Sequence, residues 1–263
     1  MTGILTAILS VTAIGAVLAV ILSAASKVMA VEVDERLARV QEILPGSNCG
    51  ACGYPGCAGY AEALIADKDL KQNLCSPGGP GVVKELNKIL GGEGGEAEIK
   101  RAVVRCRGDV QQKKMDYIGI KTCAAAKQLS GGEGACAFGC LGYGDCKIAC
   151  PSDAICIEHG LASININKYT GCGLCVKACP NHIISMETDP VKSVVLCANL
   201  EKGAVVRKKC AHGCIGCGKC SRECTSGAIN LKDNLAVIDS EKCAACGHCA
   251  EICVTRSIKL FAQ

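Results

Sequence analysis

The chain has 263 residues, with 24 cysteines and 31 glycines but two phenylalanines and no tryptophan. So few large aromatic residues exclude one ordinary hydrophobic core and favour small modules held together by metal. The formal net charge is +4 with cysteines counted as neutral, and about six clusters of charge about −2 would bring it to about −8. Nucleic-acid binding is disfavoured because the basic stretches lack interleaved aromatic residues.

Most of the cysteines stand two or three residues apart, in runs that recur along the chain. Such runs are typical of iron–sulfur ligation, whereas disulfide frameworks are typical of short secreted chains. The alternative metal is zinc, which usually takes separated CxxC pairs or a mixture of cysteine and histidine. We therefore predict [4Fe–4S] clusters, about six in number, in a reducing compartment.

The first predicted element is a transmembrane helix, residues 1–27. No residue from Gly3 to Ser26 is charged, and a helix of that length spans about 36 Å, which is enough to cross the hydrocarbon core of a bilayer. The alternative is a signal peptide cleaved near Ser23, but no basic stretch precedes the apolar run. We expect a single-pass protein of the cell membrane with its iron–sulfur domains on the cytoplasmic side.

A domain for one cluster is predicted over residues 28–90. It opens with apolar residues at helical spacing from Val33 to Leu44. A glycine-rich linker is predicted at 91–100, because glycines make a chain flexible. The candidate ligands of this domain are Cys49, Cys52, Cys57 and Cys75.

The C-terminal domain, residues 210–263, contains the pattern C-x2-C-x2-C-x3-C twice. In two-cluster ferredoxins the fourth cysteine of each run binds the cluster of the other run. We therefore predict one cluster on Cys214, Cys217, Cys220 and Cys253, and a second on Cys224, Cys243, Cys246 and Cys249.

The middle domain, residues 101–209, is an imperfect copy of the C-terminal one. Alternating segments at 155–157, 163–166, 229–231 and 236–238 suit the short strands of ferredoxin modules. The predicted fold is therefore α+β, with small iron–sulfur modules, including ferredoxin-like domains, after a transmembrane helix. The candidate ligands here are Cys106, Cys123, Cys136, Cys140, Cys146, Cys150, Cys172, Cys175, Cys179 and Cys197, together with Cys210.

Two tyrosines interrupt the middle copy. Tyr169 stands where the second run should begin, which leaves one cluster short of a ligand. Either Cys156 supplies that ligand, or the site holds a three-iron or exchangeable-ligand cluster and Cys156 is a buried, inert thiol. Tyr143 replaces a cysteine in the first run. We expect one cluster on Cys140, Cys146 and Cys179 with Cys136 or Cys210, and another on Cys106, Cys123 and Cys197 with the remaining one.

The motifs resemble a known family. Residues 44–57 read LPGSNCGACGYPGC, and residues 141–145 read LGYGD. With the N-terminal segment and the terminal ferredoxin pattern, they closely resemble the B subunits of Rnf complexes over essentially the whole chain. The resemblance implies a membrane-bound ferredoxin:NAD oxidoreductase, a translocase of sodium ions or protons, in which this subunit takes electrons from ferredoxin and relays them toward flavin-bearing partner subunits. Departures are Tyr169, and Thr225 and Val254 where ferredoxin runs usually continue with proline.

Two other functional classes fit the cysteine pattern, namely a polyferredoxin subunit of another oxidoreductase and an iron–sulfur redox sensor. No GxGxxG motif follows a predicted strand, so we expect no separate catalytic site and expect NAD to bind another subunit. The basic stretch Arg207-Lys208-Lys209 is either solvated surface or a docking patch for an acidic ferredoxin.

Overall fold

The computed structural model describes residues 2–28, 34–67, 69–92, 95, 99–108 and 112–261. The chain divides into two compact units, Met1–Arg39 and Val40–Gln263. In the first unit, α1 (Thr2–Val28) is a helix of 27 residues with Lys27 in its last turn. Among the residues that the structure describes, no helix satisfies the combined requirements of length and apolarity for crossing a bilayer.

Three helices flank the first cysteine motif along the chain: α2 (Glu35–Ile43), α3 (Gly56–Ala66) and α4 (Gly79–Leu90). Leu64 and Leu86 are among their buried side chains. The N-terminus of α3 is tied to the preceding loop because the side chain of Asn48 accepts a hydrogen bond of 2.8 Å from Cys57 N. The predicted helix before Pro45 is confirmed as α2, although Val33 lies outside the described residues.

The middle module has two two-stranded sheets, one formed by its first and last strands and the other by the hairpin between them. Its elements are β1 (Lys100–Val104), α5 (Cys123–Ser130), α6 (Asp145–Ile148), β2 (Ile155–Glu158), β3 (Leu161–Ile164), α7 (Leu174–Ala178) and β4 (Ile184–Thr188). Strand β1 pairs with β4, and β2 pairs with β3, both antiparallel. Of the predicted linker at 91–100, residues 93–94 and 96–98 lie outside the described residues, and β1 begins at Lys100.

The C-terminal module repeats this arrangement. Its elements are β5 (Ser193–Val195), α8 (Gly203–Lys209), α9 (Lys219–Arg222), β6 (Ile229–Lys232), β7 (Leu235–Ile238), α10 (His248–Glu251) and β8 (Ile258–Leu260). Strand β5 pairs with β8, and β6 pairs with β7. The two hairpins have the same register, with Ile155 opposite Ile164 and Ile229 opposite Ile238. The four predicted inner strands and the mixed α and β composition are therefore confirmed.

The two modules are in apolar contact. Val103, Val191, Val194 and Leu196 are buried together, with Phe261 packed against them. The predicted boundary at 209/210 assigns β5 to the middle domain, whereas the structure pairs β5 with β8 in the C-terminal module. Strand pairing joins residues far apart in sequence, so a boundary drawn from cysteine spacing could not anticipate it.

Each short helix that carries a cysteine run begins after a glycine in the left-handed conformation. This glycine lets the chain turn sharply out of the cysteine loop without the steric cost of a side chain. The four glycines are Gly144, Gly173, Gly218 and Gly247.

Gly216 offers a test of this tight packing, because its φ is +65° and an added Cβ would lie 2.6 Å from Asn234 O. Gly227 is a matched control, since its φ is +61° and an added Cβ would meet nothing within 4 Å. We expect Gly216→Ala to lower the free energy of unfolding by about 1–3 kcal/mol more than Gly227→Ala. Urea unfolding of cluster-loaded protein measures the difference, and equal losses would contradict the close approach.

Candidate iron–sulfur centres

Site I is formed by Cys49, Cys52, Cys57 and Cys75, which surround the start of α3. Burial is the main cause that raises the pKa of Cys75, and the charges of Cys52, Cys57 and Cys49 raise it further. The other three predicted ligands of the first domain are thus close enough to Cys75 to repel it as thiolates. Tyr60 packs beside them, buried, and its hydroxyl donates to Lys71 O at 3.0 Å.

Site II is formed by Cys150, Cys172 and Cys175. Burial raises the pKa of the Cys175 thiol, the Tyr169 hydroxyl opposes this by hydrogen bonding, and the charges of Cys172 and Cys150 add to the rise. The side chain of Tyr169 is 4% exposed, and its Oη lies 3.6 Å from Cys175 Sγ. Three cysteines and one tyrosine therefore occupy the place where a complete two-cluster pattern would have four thiolates.

Site III is a cavity lined by Cys123, Cys140, Cys146 and Cys179. Burial raises the pKa of Cys146 to about 12, with added repulsion from the thiolates of Cys140, Cys123 and Cys179. The expectation that Cys136 or Cys210 completes this set is wrong, because Cys123 is the fourth cysteine of the cavity.

The position of Cys123 has a local cause. It begins α5, whose first turn has free backbone N–H groups that need acceptors. The carboxylate of Asp145 accepts from Cys123 N at 2.8 Å and from Ala124 N at 3.0 Å. Because Asp145 begins α6 and Cys146 follows it, this cap brings the two cysteines to one cavity. Tyr143, at the interrupted position, packs its ring against Tyr117 at 5.7 Å instead.

Site IV is a second cavity, lined by Cys106, Cys136, Cys197 and Cys210. The predicted set of Cys106, Cys123 and Cys197 is corrected accordingly, and Cys136 and Cys210 lie together rather than in separate clusters. Asn199, which is 2% exposed, lies next to this site and donates hydrogen bonds to two of its cysteines. Its Nδ2 donates to Cys136 Sγ at 3.3 Å, and its backbone N donates to Cys197 Sγ at 3.5 Å.

Sites V and VI lie in the C-terminal module. In site V, burial raises the pKa of Cys220 to about 11, followed by repulsion from Cys214, Cys253 and Cys217. This is the crossed set predicted from the two-cluster pattern. In site VI, burial and the charges of Cys243 and Cys246 raise the pKa of Cys249. Cys224, the remaining predicted ligand of site VI, packs with Cys249 against the same core.

Cys156 takes no part in these sites. It is exposed rather than buried, so the alternative of a buried, inert thiol is wrong. Its Sγ is directed to Glu158 Oε1 at 3.4 Å and Ser163 O at 3.8 Å. Its neighbour Ile155 packs in the core with Tyr169, and successive side chains of a strand point to opposite faces. Cys156 is therefore turned away from site II.

The sites suit iron–sulfur clusters chemically. The cavity of site III combines four cysteines with apolar side chains such as Val104, Ile157 and Ile183. Buried thiolates repel one another and lose solvation, so a bound cation is needed to keep them ionised together. Among the described residues, no group of three or more cysteine, histidine or carboxylate side chains has the geometry to hold a metal ion.

Two supporting residues, Asp145 and Asn199, could not be recognised from sequence. Cysteine spacing marks neither as functional, because Asp145 caps the helix at Cys123, 22 residues away, and the Asn199 side chain donates to Cys136, 63 residues away. His212 lines the cavity of site IV, with its Nδ1 3.4 Å from Thr255 O.

Known proteins are similar to this chain in its motifs and over most of its length. Residues 44–77 match an Fe-S cluster family, and residues 170–229 and 213–257 match two families described as 4Fe-4S dicluster domains. The B subunit of the Na(+)-translocating ferredoxin:NAD(+) oxidoreductase complex of Acetobacterium woodii is 38% identical, over 87% of this chain and 69% of the relative. The chain belongs to this family of B subunits.

Two further relatives support the assignment. The B subunit of the ion-translocating oxidoreductase complex of Methanosarcina acetivorans is 39% identical, over 88% of this chain and 88% of the relative. The B subunit of the proton-translocating ferredoxin:NAD(+) oxidoreductase complex of Clostridium ljungdahlii is 39% identical, over 89% of this chain and 83% of the relative. The predicted resemblance to Rnf B subunits is confirmed.

Iron analysis of alanine variants tests the division between sites III and IV. If Cys123 and Cys136 serve different clusters, the variant lacking both should lose the sum of the two single losses, up to about eight iron atoms. Cys123 and Cys140 share a cavity, so their double variant should lose no more than about four. Cys156→Ala is the control and should lose none. Equal losses in the two double variants would contradict the division.

Proposed function

We propose that this protein is the electron-transfer subunit of an ion-translocating ferredoxin:NAD oxidoreductase, and that it relays electrons from reduced ferredoxin toward partner subunits that carry flavin and bind NAD. Family membership and the 4Fe-4S domain matches support this role. The observation that carries it is that each cysteine site lies next to another one, in an order that runs from site I to site VI. We assign the 23 cysteines of sites I–VI as ligands of iron–sulfur clusters and propose no separate catalytic site.

The contacts begin in the N-terminal half of the second unit. Cys52 of site I and Cys172 of site II line the same groove. Cys146 of site III lies near enough to Cys175 of site II for their charges to interact, and this interaction adds to the effect of burial in raising the pKa of Cys146. Sites I, II and III are therefore neighbours in this order.

The remaining contacts extend the order to the C-terminus. Cys140 N, in site III, donates a hydrogen bond of 3.4 Å to Cys106 Sγ in site IV. Burial raises the pKa of Cys197 in site IV, while the backbone N–H of Cys214 in site V donates a hydrogen bond that lowers it. Sites V and VI share one core. Because electron tunnelling weakens steeply with distance, closely spaced centres in this order suit a relay.

Iron–sulfur clusters supply one-electron chemistry when they are bound. The chain's own residues hold them and adjust their potentials through hydrogen bonds to sulfur and through burial. Ala154 N donates to Cys150 Sγ at 3.3 Å, and Ser257 N donates to Cys253 Sγ at 3.3 Å. These donors occupy equivalent places, four residues after the last cysteine of a run, and favour the reduced, more negative state.

We also propose that α1 anchors the protein in the cell membrane, with the iron–sulfur sites on the cytoplasmic side. This proposal rests on the sequence, in which no residue from Gly3 to Ser26 is charged, because 24 such residues in a helix would span about 36 Å. Leu9, Val20 and Leu22 are each more than 60% exposed. The hydroxyl of Thr12 donates to Leu9 O at 3.0 Å, which reduces the cost of placing it among lipid.

The proposed docking patch for ferredoxin contains fewer basic residues than the stretch from Arg207 to Lys209 does. Arg207, Lys208 and Lys209 lie in the last turn of α8. Lys209 is half-buried and pairs with Glu201 at 2.5 Å. Glu201 in turn accepts at 3.1 Å from Asn199, which supports site IV. Lys209 thus has a structural role, and we propose that Arg207 and Lys208 attract the acidic partner beside site IV.

Reduction kinetics test the relay and the docking patch together. Reduced ferredoxin should reduce the wild-type clusters rapidly, and Arg207→Glu with Lys208→Glu should slow this reaction several-fold at low salt because like charges repel. The difference should shrink as salt screens it. Lys84→Glu, on α4, is the control and should react as the wild type does. Failure of ferredoxin to reduce wild-type clusters would reject the relay, whereas an unaffected double variant would reject only the patch.

Membrane fractionation tests the anchor. When the protein is expressed without partner subunits, the full chain should sediment with membranes and resist alkaline extraction, because an apolar helix of this length is stable in lipid. A variant lacking residues 2–28 should become soluble with its iron content unchanged. Lys27→Gln is the control and should remain in the membrane. Sedimentation of the shortened variant with membranes would contradict the anchor.

A further inference from the structure

The two tyrosines that interrupt the cysteine runs of the middle module have different environments. At the first, the ring of Tyr143 packs outside on Tyr117, and Cys123 supplies a fourth thiol to site III. At the second, the Tyr169 side chain turns inward and is 4% exposed. All 24 cysteines lie in the described part of the chain. Twenty of them are assigned to the other five sites, which leaves Cys156 as the one candidate for the fourth place of site II.

The spare thiol cannot serve as a replacement. Cys156 is exposed on β2, where its Sγ is directed to Glu158 and to Ser163 O. Ile155, on the opposite face of the strand, is the residue that packs in the core with Tyr169. Bringing the Cys156 sulfur to site II would require the strand to reverse its faces, which would expose Ile155.

The hydroxyl of Tyr169 is placed to donate a hydrogen bond to sulfur. Gly173 N donates to Tyr169 Oη at 3.3 Å, which leaves the phenol proton for a second partner. The two nearby acceptors are Cys175 Sγ at 3.6 Å and Met186 Sδ at 3.3 Å. The phenol is thus surrounded by one N–H donor and two sulfur acceptors, which is the environment of a neutral hydroxyl.

The backbone holds this tyrosine firmly in place. Arg101 donates through Nη1 to Ile166 O at 2.8 Å and to Tyr169 O at 3.3 Å, and its Nε pairs with Asp189 at 3.2 Å. Tyr169 N donates to Asn165 O at 3.1 Å. With both ends of the residue fixed and its ring in the core, the side chain cannot leave the site without unpacking the module.

We propose that site II holds a [3Fe–4S] cluster on Cys150, Cys172 and Cys175, with the Tyr169 ring filling the corner where a fourth iron and its thiolate would lie. The hydroxyl donates a hydrogen bond to the Cys175 sulfur, which as a cluster thiolate is a stronger acceptor than the nearby thioether of Met186, and does not bind iron. This inference rests on the proposed iron–sulfur role. Three thiolates match the three irons of such a cluster, and the bulky ring excludes the fourth.

The experiment uses anaerobically prepared full-length protein and compares electron paramagnetic resonance in the oxidised state with iron content. An oxidised [3Fe–4S] cluster is paramagnetic, whereas an oxidised [4Fe–4S] cluster is silent. The wild type should show about one such spin per chain, and Tyr169→Cys should lose the signal and gain about one iron atom. Cys156→Ser is the control and should match the wild type.

The variant Tyr169→Phe keeps the ring and removes the hydroxyl, so it tests the two roles separately. It should keep the oxidised-state signal, because the ring still fills the corner, and the midpoint potential of that signal should fall, because a hydrogen bond to sulfur is lost. A silent oxidised wild type whose reduced clusters are all visible would overturn the three-iron site while leaving the relay intact. Loss of the signal in Cys156→Ser, or its persistence in Tyr169→Cys, would also overturn it. Absence of iron–sulfur signals in every state would reject the proposed function itself.

Discussion

The structure depends on the crowding of cysteine side chains in cavities too small and too apolar to hold free thiolates. Cys146 and Cys175 belong to the same core as Ile155 and Ile184, so the ligands are also packing residues. Burial and mutual repulsion raise their pKa values. Bound iron–sulfur clusters would offset both effects, which explains how modules with so few large apolar residues remain folded.

The middle and C-terminal modules have the same architecture, and the middle one departs from it at two positions. Both ferredoxin-like modules enclose a hairpin of equal register between paired outer strands. Both use a left-handed glycine before each short helix that carries a cysteine run, and both have a backbone N–H that donates to the last cysteine of a run. The middle copy alone has lost two cysteines. One loss is compensated by Cys123, which Asp145 positions, and at the other Tyr169 occupies the site.

Many of these features could be predicted from sequence because they depend on residues that are close together in the chain. Ligands two or three residues apart define the terminal sites, and alternating apolar residues define the hairpins. The division of Cys123 and Cys136 between sites III and IV could not be predicted, because it depends on contacts made by Asp145 and Asn199 across long separations in sequence. Likewise, the sequence locates Tyr169 but not its inward side chain, which the strand pairing and Arg101 determine.

Anomalous diffraction at the iron absorption edge, on anaerobically prepared crystals, would show which cysteines share a metal centre. We expect about six separate iron centres that follow the order of sites I to VI, with Cys123 at the third and Cys136 at the fourth. Single-atom zinc peaks, or one iron centre shared by Cys123 and Cys136, would contradict the relay of clusters described here.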